Sequence, residues 1–442
     1  MTRQSTYNKI MIRMTLLPFC LLVLITNLSH AQTEKRVQPN PDMELQQFVN
    51  RAIPFLDSSQ LQQRQEAEKA LISRGPAILD LLPNDLEPYS SEIQTRIERV
   101  RQQLYVIVAK QTSSGSQFSL SGSYRLSEVI EELEKQTGNI ITTSRALATT
   151  TELDLKDVPF YLAFDKLLDQ SGLDIEPYFA PHPNQILIKP KLDGIAPRSE
   201  HAHYTGPFRI AATNVTLTRN LRIPNAKQCA LTLQVAWEPR VRPLYLTMPA
   251  SQLKATDDSG VSLTILIDGE KTLNVEGTAP LVEVELPFTL PAPSARRIDS
   301  VTGTISAMVP GRKEHFAFSN LQAADSFPKQ QRRAGVTITV RSVRQTDQQT
   351  MVDVELHYKD VGNAFESHRG WTNRNAAYLT SKEERLATKP RRETIAQKKQ
   401  SVTYRYSFDT TEELNSLSFH YHTPALLIQK DVEFKLNEIP LP

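Results

Sequence analysis

Cysteine is nearly absent: the chain holds two in 442 residues, Cys20 and Cys229. No disulfide framework can be built on that, so its domains must be held by their apolar cores. Glycine is scarce too, 15 against 28 prolines, a balance that suits strands and linkers better than a doubly wound α/β enzyme. An excess of one charge is also missing. The 51 basic residues face 49 acidic ones, which excludes a general nucleic-acid or anionic-membrane surface. After residue 31 no apolar run reaches transmembrane length, so no integral span is expected in the mature chain. The length is enough for roughly two to four domains.

The first 31 residues read as a secretory signal peptide. Arg3, Lys9 and Arg13 form a basic start, Met14 to Leu28 a short apolar run, and Ser29-His30-Ala31 a small-residue cleavage site. The competing reading is an N-terminal membrane anchor, which Pro18, Asn27 and the shortness of the run oppose. Lipoprotein processing at Cys20 lacks the small residue it needs, because Phe19 precedes it. Without the leader only Cys229 remains, and the charge is near neutral. The expected localisation is exported, periplasmic or outer-membrane-associated.

Residues 32–42 read as a polar linker and 43–112 as helical. Phe48, Ile53 and Leu56, then Ala67, Ala70 and Leu71, then Ile78, Leu79, Leu81 and Leu82 mark packed segments, with Ser58 or Ser59 as a candidate cap. Ile93, Ile97, Val100, Leu104 and Ile107 predict a longer helix. RQEAEKALISRGPAILDLLPN resembles a single HEAT-like helical repeat; a generic helical hairpin is the alternative. One repeat cannot bury its own face, so this segment should dock on a neighbour. Ser113 to Ser116 reads as a flexible joint.

The next unit, 117–190, is organised around Leu153 to Ile175. Leu153 and Leu155 alternate as in a strand. Asp157 is a candidate helix cap, and Pro159 is pre-set for a first turn. Phe160, Ala163, Phe164, Leu167 and Leu168 form one helical stripe, and Gly172 is the expected left-handed stop. A similar helix over Leu126 to Leu133 ends at Gly138, so the order is β-α-β twice. RLSEVIEELEKQTGNI, LDLKDVPFYLAFDKLLDQSGLDI and QILIKP resemble the short N-terminal (STN) domain of secretins and TonB-dependent receptors. That resemblance implies a non-catalytic periplasmic interaction module, two helices on a small sheet. No pore or barrel sequence follows, so a transport role does not carry over.

After a polar linker at 190–206, the pattern turns to strands. Residues 207–324 and 335–442 predict two antiparallel β-sandwich domains joined by a linker at 325–334. Asp257-Asp258-Ser259-Gly260 and Asp268-Gly269 are turn signals, the second a hairpin candidate. Lys382 to Lys399 is a charge run, read as solvated loops or a hairpin tip, with a local anionic contact as the alternative. LTLQVAWEPRVRPLYL, ESHRGWTNRNAAYL and VEFKLNEIPLP are similar to exported proteins of planctomycete-type bacteria, a group that supplies no activity to carry over. The fold class is thus a multi-domain α+β chain: a helical segment, a small βαβ-βαβ unit and two β-sandwiches.

Candidate sites are few. His201 and His203 sit two apart in a linker, without a third ligand nearby. His420 and His422 alternate with Phe419 and Tyr421, so both face outward if the aromatics face a core. A surface pair is preferred there to a metal site. Asp257 and Asp258 lack a calcium-loop spacing. In Glu366-Ser367-His368-Arg369-Gly370-Trp371, serine and histidine point oppositely on a strand and make no nucleophile–base pair. Arg369 and Trp371 could stack on a partner or sugar, but a buried tryptophan near a loop that orders the sandwich is the preferred reading. Cys229 reads as a small buried hydrophobe. No catalytic residue, metal or cofactor is expected. The function expected is a non-enzymatic envelope interaction or scaffolding protein that docks a protein partner, with Arg369, Trp371, His420 and His422 as partner-binding candidates. The alternatives are envelope-polysaccharide binding through the sandwiches and, last, a hydrolase.

Overall fold

The computed structural model describes residues 41–442 apart from 84–85, 144–148, 224, 323–326, 359–369 and 383. The leader and most of the 32–42 linker lie outside the described residues. Pro41 and Asp42, placed in that linker, already open α1, Pro41–Ala52. A 3-10 turn, Ile53–Asp57, leads to α2, Leu61–Ser73, and α3 runs Ser91–Ser113. Neither Ser58 nor Ser59 caps α2; its N-cap is Gln60, without a side-chain bond. The serine that does cap is Ser90, whose Oγ accepts the Ile93 N–H at 3.3 Å. Ile93, Ile97, Val100 and Leu104 are all buried along one side of α3.

The α/β unit follows: β1, Gln117–Arg125; α4, Leu126–Thr137; β2, Ile140–Thr143; β3, Thr150–Pro159; α5, Phe160–Ser171; β4, Leu173–Ile175; and β5, Gln185–Pro190. It carries two small sheets rather than one. β1 pairs antiparallel with β3. β5 pairs parallel with β2 and antiparallel with β4. The stripe of α5 is fully inside, sharing a core with Val129, Leu133, Leu155 and Ile186. Gly172 stops α5 at φ +63°, with its N–H on the Leu168 carbonyl, as the left-handed stop requires. Asp157 is not the cap of α5. It sits at φ +48° in a bulge of β3, where Lys156 and Asp157 oppose Ser119 of β1, and exchanges hydrogen bonds with Ser119; Pro159 is the N-cap instead.

The β body contains β6, Ala202–Thr205; β7, Phe208–Arg219; β8, Lys227–Trp237; β9, Tyr245–Pro249; β10, Lys254–Asp257; β11, Ser262–Leu263; β12, Glu270–Asn274; and β13, Leu281–Phe288. Then come β14, Arg297–Phe318; β15, Lys329–Arg333; β16, Val336–Thr346; β17, Gln349–Tyr358; β18, Ala376–Ser381; β19, Glu384–Arg385; β20, Arg391–Lys398; β21, Ser401–Asp409; and β22, Leu417–Pro440. Three sheets form: β13-β8-β7-β6, β15-β16-β17-β21-β20, and a larger one built on β14 and β22. Asp257 to Gly260 turns the β10–β11 hairpin, whereas Asp268-Gly269 is no hairpin, because β12 pairs with β9.

The two expected sandwiches are not separate at 324/335. β14 and β22 pair without a register shift from Arg297↔Pro440 to Phe318↔Phe419, so one long ribbon serves both halves. On one stretch Val301, Ile305 and Val309 of β14 with Val432, Phe434 and Leu436 of β22 face the core under β7, β8 and β13. Farther along, Phe316 and Phe318 with Leu417, Phe419 and Tyr421 face the opposite way, into the core under β16, β17 and β21. Successive strand residues point to opposite faces, so a change from odd to even apolar positions is a change of buried face. The helical segment closes that second core: Val49, Leu56, Leu71, Ile97 and Leu104 belong to the same cluster as Phe316 and Tyr358.

The expected linkers are built into the body. At 113–116, Arg240 donates to the Gln111 and Ser114 carbonyls, and the Ser116 N–H and Oγ donate to Glu238 at 2.8 and 2.6 Å. A Cβ on Gly115 would fall 2.4 Å from the Gly206 oxygen, so glycine is needed there for close approach and not for mobility. Within 190–206, Arg198 folds back on α5. The fully buried Asp165 carboxylate accepts from Arg198 Nε at 2.9 Å, from the Tyr204 hydroxyl at 2.8 Å and from Arg209. In 325–334, residues 329–333 are an edge strand.

Candidate functional site

The outer face of the ribbon gathers the histidines. His315 on β14 lies directly across from His422 on β22, and Tyr378 on β18 across from His420. His420 and His422 do share a face, as their spacing predicts, and His315 joins them from 105 residues away. The rings of His315 and His422 stack at 4.3 Å between centroids, and those of Tyr378 and His420 at 4.9 Å. The Arg385 guanidinium lies 4.3 Å above the Tyr378 ring. The His315 Nε2 and His420 Nδ1 are 2.9 Å apart, His420 Nε2 is 2.9 Å from Thr380 Oγ1, and His422 Nε2 is 3.2 Å from the Tyr378 hydroxyl.

Burial and the other two imidazoles push His420 down to about 4. Burial lowers His315 and His422 as well, with Arg333 acting on the first and His315 on the second. A base that weak does not take a proton from Thr380 at neutral pH, so the Thr380–His420–His315 chain is no activated nucleophile. Among the described residues, no group of three or more His, Cys, Asp or Glu side chains is placed to hold a metal ion.

The other predicted residues disperse. Trp371 is buried, edge-to-face with Tyr358 at 5.4 Å, so it offers no ring to a ligand. Arg369, with Glu366, Ser367 and His368, lies outside the described residues. His201 stands at φ +52° before β6 and does not share a strand with His203, which is half-buried on β6 rather than in a solvated linker. Burial lowers the His203 pKa. Asp257 is a buried turn carboxylate. Burial alone would raise its pKa, but the N–H groups of Ala292, Val261 and Ser259 hold it below the usual range. Asp258 accepts from the Arg296 N–H. Cys229 is buried on β8, and burial raises its thiol.

Two further features went unread in the sequence. In the α/β unit, β2 is an edge strand with Ile140 46% exposed. The loop that enters β5 opposite Ile140 carries Tyr178 and Phe179, 76% and 55% exposed. The other side of this unit is covered, with Ala236, Ala279 and Leu281 of the body in its core. The second feature is a cleft of about 940 Å³ between α3 and the 312–315 and 332–335 stretches.

No family model matches this chain, and no curated protein matches it. Among solved structures, it is similar to the crystal structure of a conserved domain protein from Bacillus anthracis. The two are 7% identical over 53% of this chain and 89% of that one, with a TM-score of 0.15. That likeness carries no argument for fold or function.

Proposed function

We propose that this chain is an exported, non-enzymatic envelope interaction protein that docks a partner protein on its α/β unit. The carrying observation is the group of large apolar side chains Ile140, Tyr178 and Phe179, exposed on the α/β unit while residues of the body share its core. The Ile141 N–H of β2 is already taken by the Glu134 carboxylate, so affinity would come from apolar side chains packing on Ile140, Tyr178 and Phe179. The resemblance of 117–190 to the STN domain of secretins and TonB-dependent receptors points the same way, as does the leader-like start. Fixed on a rigid body, the module acts as a docking platform within a scaffold.

The test is a photo-cross-linking residue placed in the full mature chain at Ile140 or, as control, at Leu221, which is exposed on the β7–β8 turn. One defined envelope protein cross-linked from 140 and not from 221 is the expected result. Identical products from both positions, or none from 140, would refute it.

A further inference from the structure

The hairpin of β7 and β8 runs out past its own sheet. β13 pairs with β8 no farther than Cys229, and β6 pairs with β7 no farther than Ala211. Beyond Leu217 and Cys229 the two strands have only each other as strand neighbours among the described residues. Residues 216–223 and 225–227 are all exposed. The turn is closed by its own bonds. Asn220 Oδ1 accepts the Arg222 and Ile223 N–H groups at 2.9 and 3.1 Å, and the Asn220 N–H donates to the Ala226 carbonyl at 2.9 Å. At the apex stand two large apolar side chains, Leu221 at 86% and Ile223 at 58% exposure, with Leu217 at 40% nearer the body.

The charge around this apex is of one sign. No Asp or Glu occurs between Phe208 and Trp237. Arg219 and Lys227 are directly opposed partners across the ribbon, so their side chains share a face. Arg222 sits in the turn between them, and none of the three has an ion pair among the described residues. Like charges set directly opposite each other weaken a strand pair, and an anionic partner removes that cost. The whole chain is near neutral, so this positive field is local to the tip. A protein partner would need an acidic pocket cut to fit a narrow apolar apex, and a nucleic acid has no use for the leucine and isoleucine. A bilayer needs no matching pocket: the apolar tip enters the acyl boundary while the cations behind it stay with the headgroup phosphates. The hydrogen bonds inside the turn keep backbone groups occupied at that depth. We propose that the β7–β8 tip docks this protein on an anionic phospholipid bilayer, with Leu221 and Ile223 inserted and Arg219, Arg222 and Lys227 on the headgroups. The tip shares no residue with 117–190, so this inference is independent of the protein-docking reading.

The experiment is co-sedimentation of the mature chain with vesicles of phosphatidylcholine alone and of phosphatidylcholine with about 30% phosphatidylglycerol. Saturable binding to the mixed vesicles, weakened by added salt and about tenfold weaker on the neutral ones, is the expected result. All five side chains are exposed, so the L221Q/I223Q and R219Q/R222Q/K227Q variants should keep the parent melting curve. Each should lose about tenfold in affinity for the mixed vesicles. Trp237 and Trp371 are buried, so in an L221W variant a blue shift of emission on adding mixed vesicles reports the tip. No binding to the mixed vesicles, equal binding to the neutral ones, unchanged affinity in either variant with an intact fold, or unshifted L221W emission overturns the proposal. A dimer in vesicle-free solution that L221Q/I223Q dissolves assigns the tip to a second copy of the chain and overturns it as well.

Discussion

At the scale of single residues, the histidine ladder sets a pH limit. His315, His420 and His422 are all held below their ordinary value of 6.5, His420 to about 4. The unfolded chain binds their protons from about pH 6.5 downward while the folded chain resists, so the stabilisation present above 6.5 is lost as the pH falls toward 4. The expected outcome is a melting temperature that falls between pH 7 and pH 5. In a His315→Gln, His420→Gln, His422→Gln variant, the fall should shrink by at least half; an unchanged slope in a melting series would place the sensitivity elsewhere. The pair His420 and His422 was legible because alternation with Phe419 and Tyr421 fixes a face. His315 was not, because only strand pairing brings it there. Trp371 is buried, and no local pattern announces the Tyr358 ring that covers it.

At the scale of elements, legibility followed the source of the signal. α5 was readable from its stripe to Gly172, though not at its cap, because a helix writes its buried face at a spacing of three and four. β14 and β22 each change which parity is apolar along their length, and a local window reports a change of parity as an ending. The buried parity leaves marks that a substitution can test. A Cβ on Gly303 would come within 2.6 Å of Leu253 Cδ2 and 2.8 Å of Phe434 Cε1, both on the core side of the ribbon. Gly303→Ala should cost about 1–3 kcal/mol by overpacking, read as a lower urea midpoint with an unchanged slope. The charge run at 382–399 is exposed, but its core is β20, an edge strand paired with β21 and exposed at every position, rather than a loop or hairpin tip.

At the scale of the molecule, parts that the composition marks as linkers are fastened. Pro and polar residues at 190–206 gave no sign that Arg198 would reach a buried carboxylate, because ion pairs between distant segments leave no periodicity. Asp165→Asn removes the one negative charge that Arg198 and Arg209 share in the interior. Arg198 keeps its pair with Asp174, but buried Arg209 loses its carboxylate, which should cost about 3 kcal/mol in chemical denaturation. Its signature is release of 117–190 to limited proteolysis, from which the parent should yield no such fragment. The division into helical, α/β and β-rich stretches was legible; the sharing of cores between them was not. Because β22 closes both body cores against β14, neither core can be completed until residues 417–440 have emerged. A nascent chain of this protein therefore carries two open apolar surfaces through almost its whole synthesis, with the earliest helices waiting for the latest strand. Such a chain exposes apolar surface to aggregation for as long as it waits.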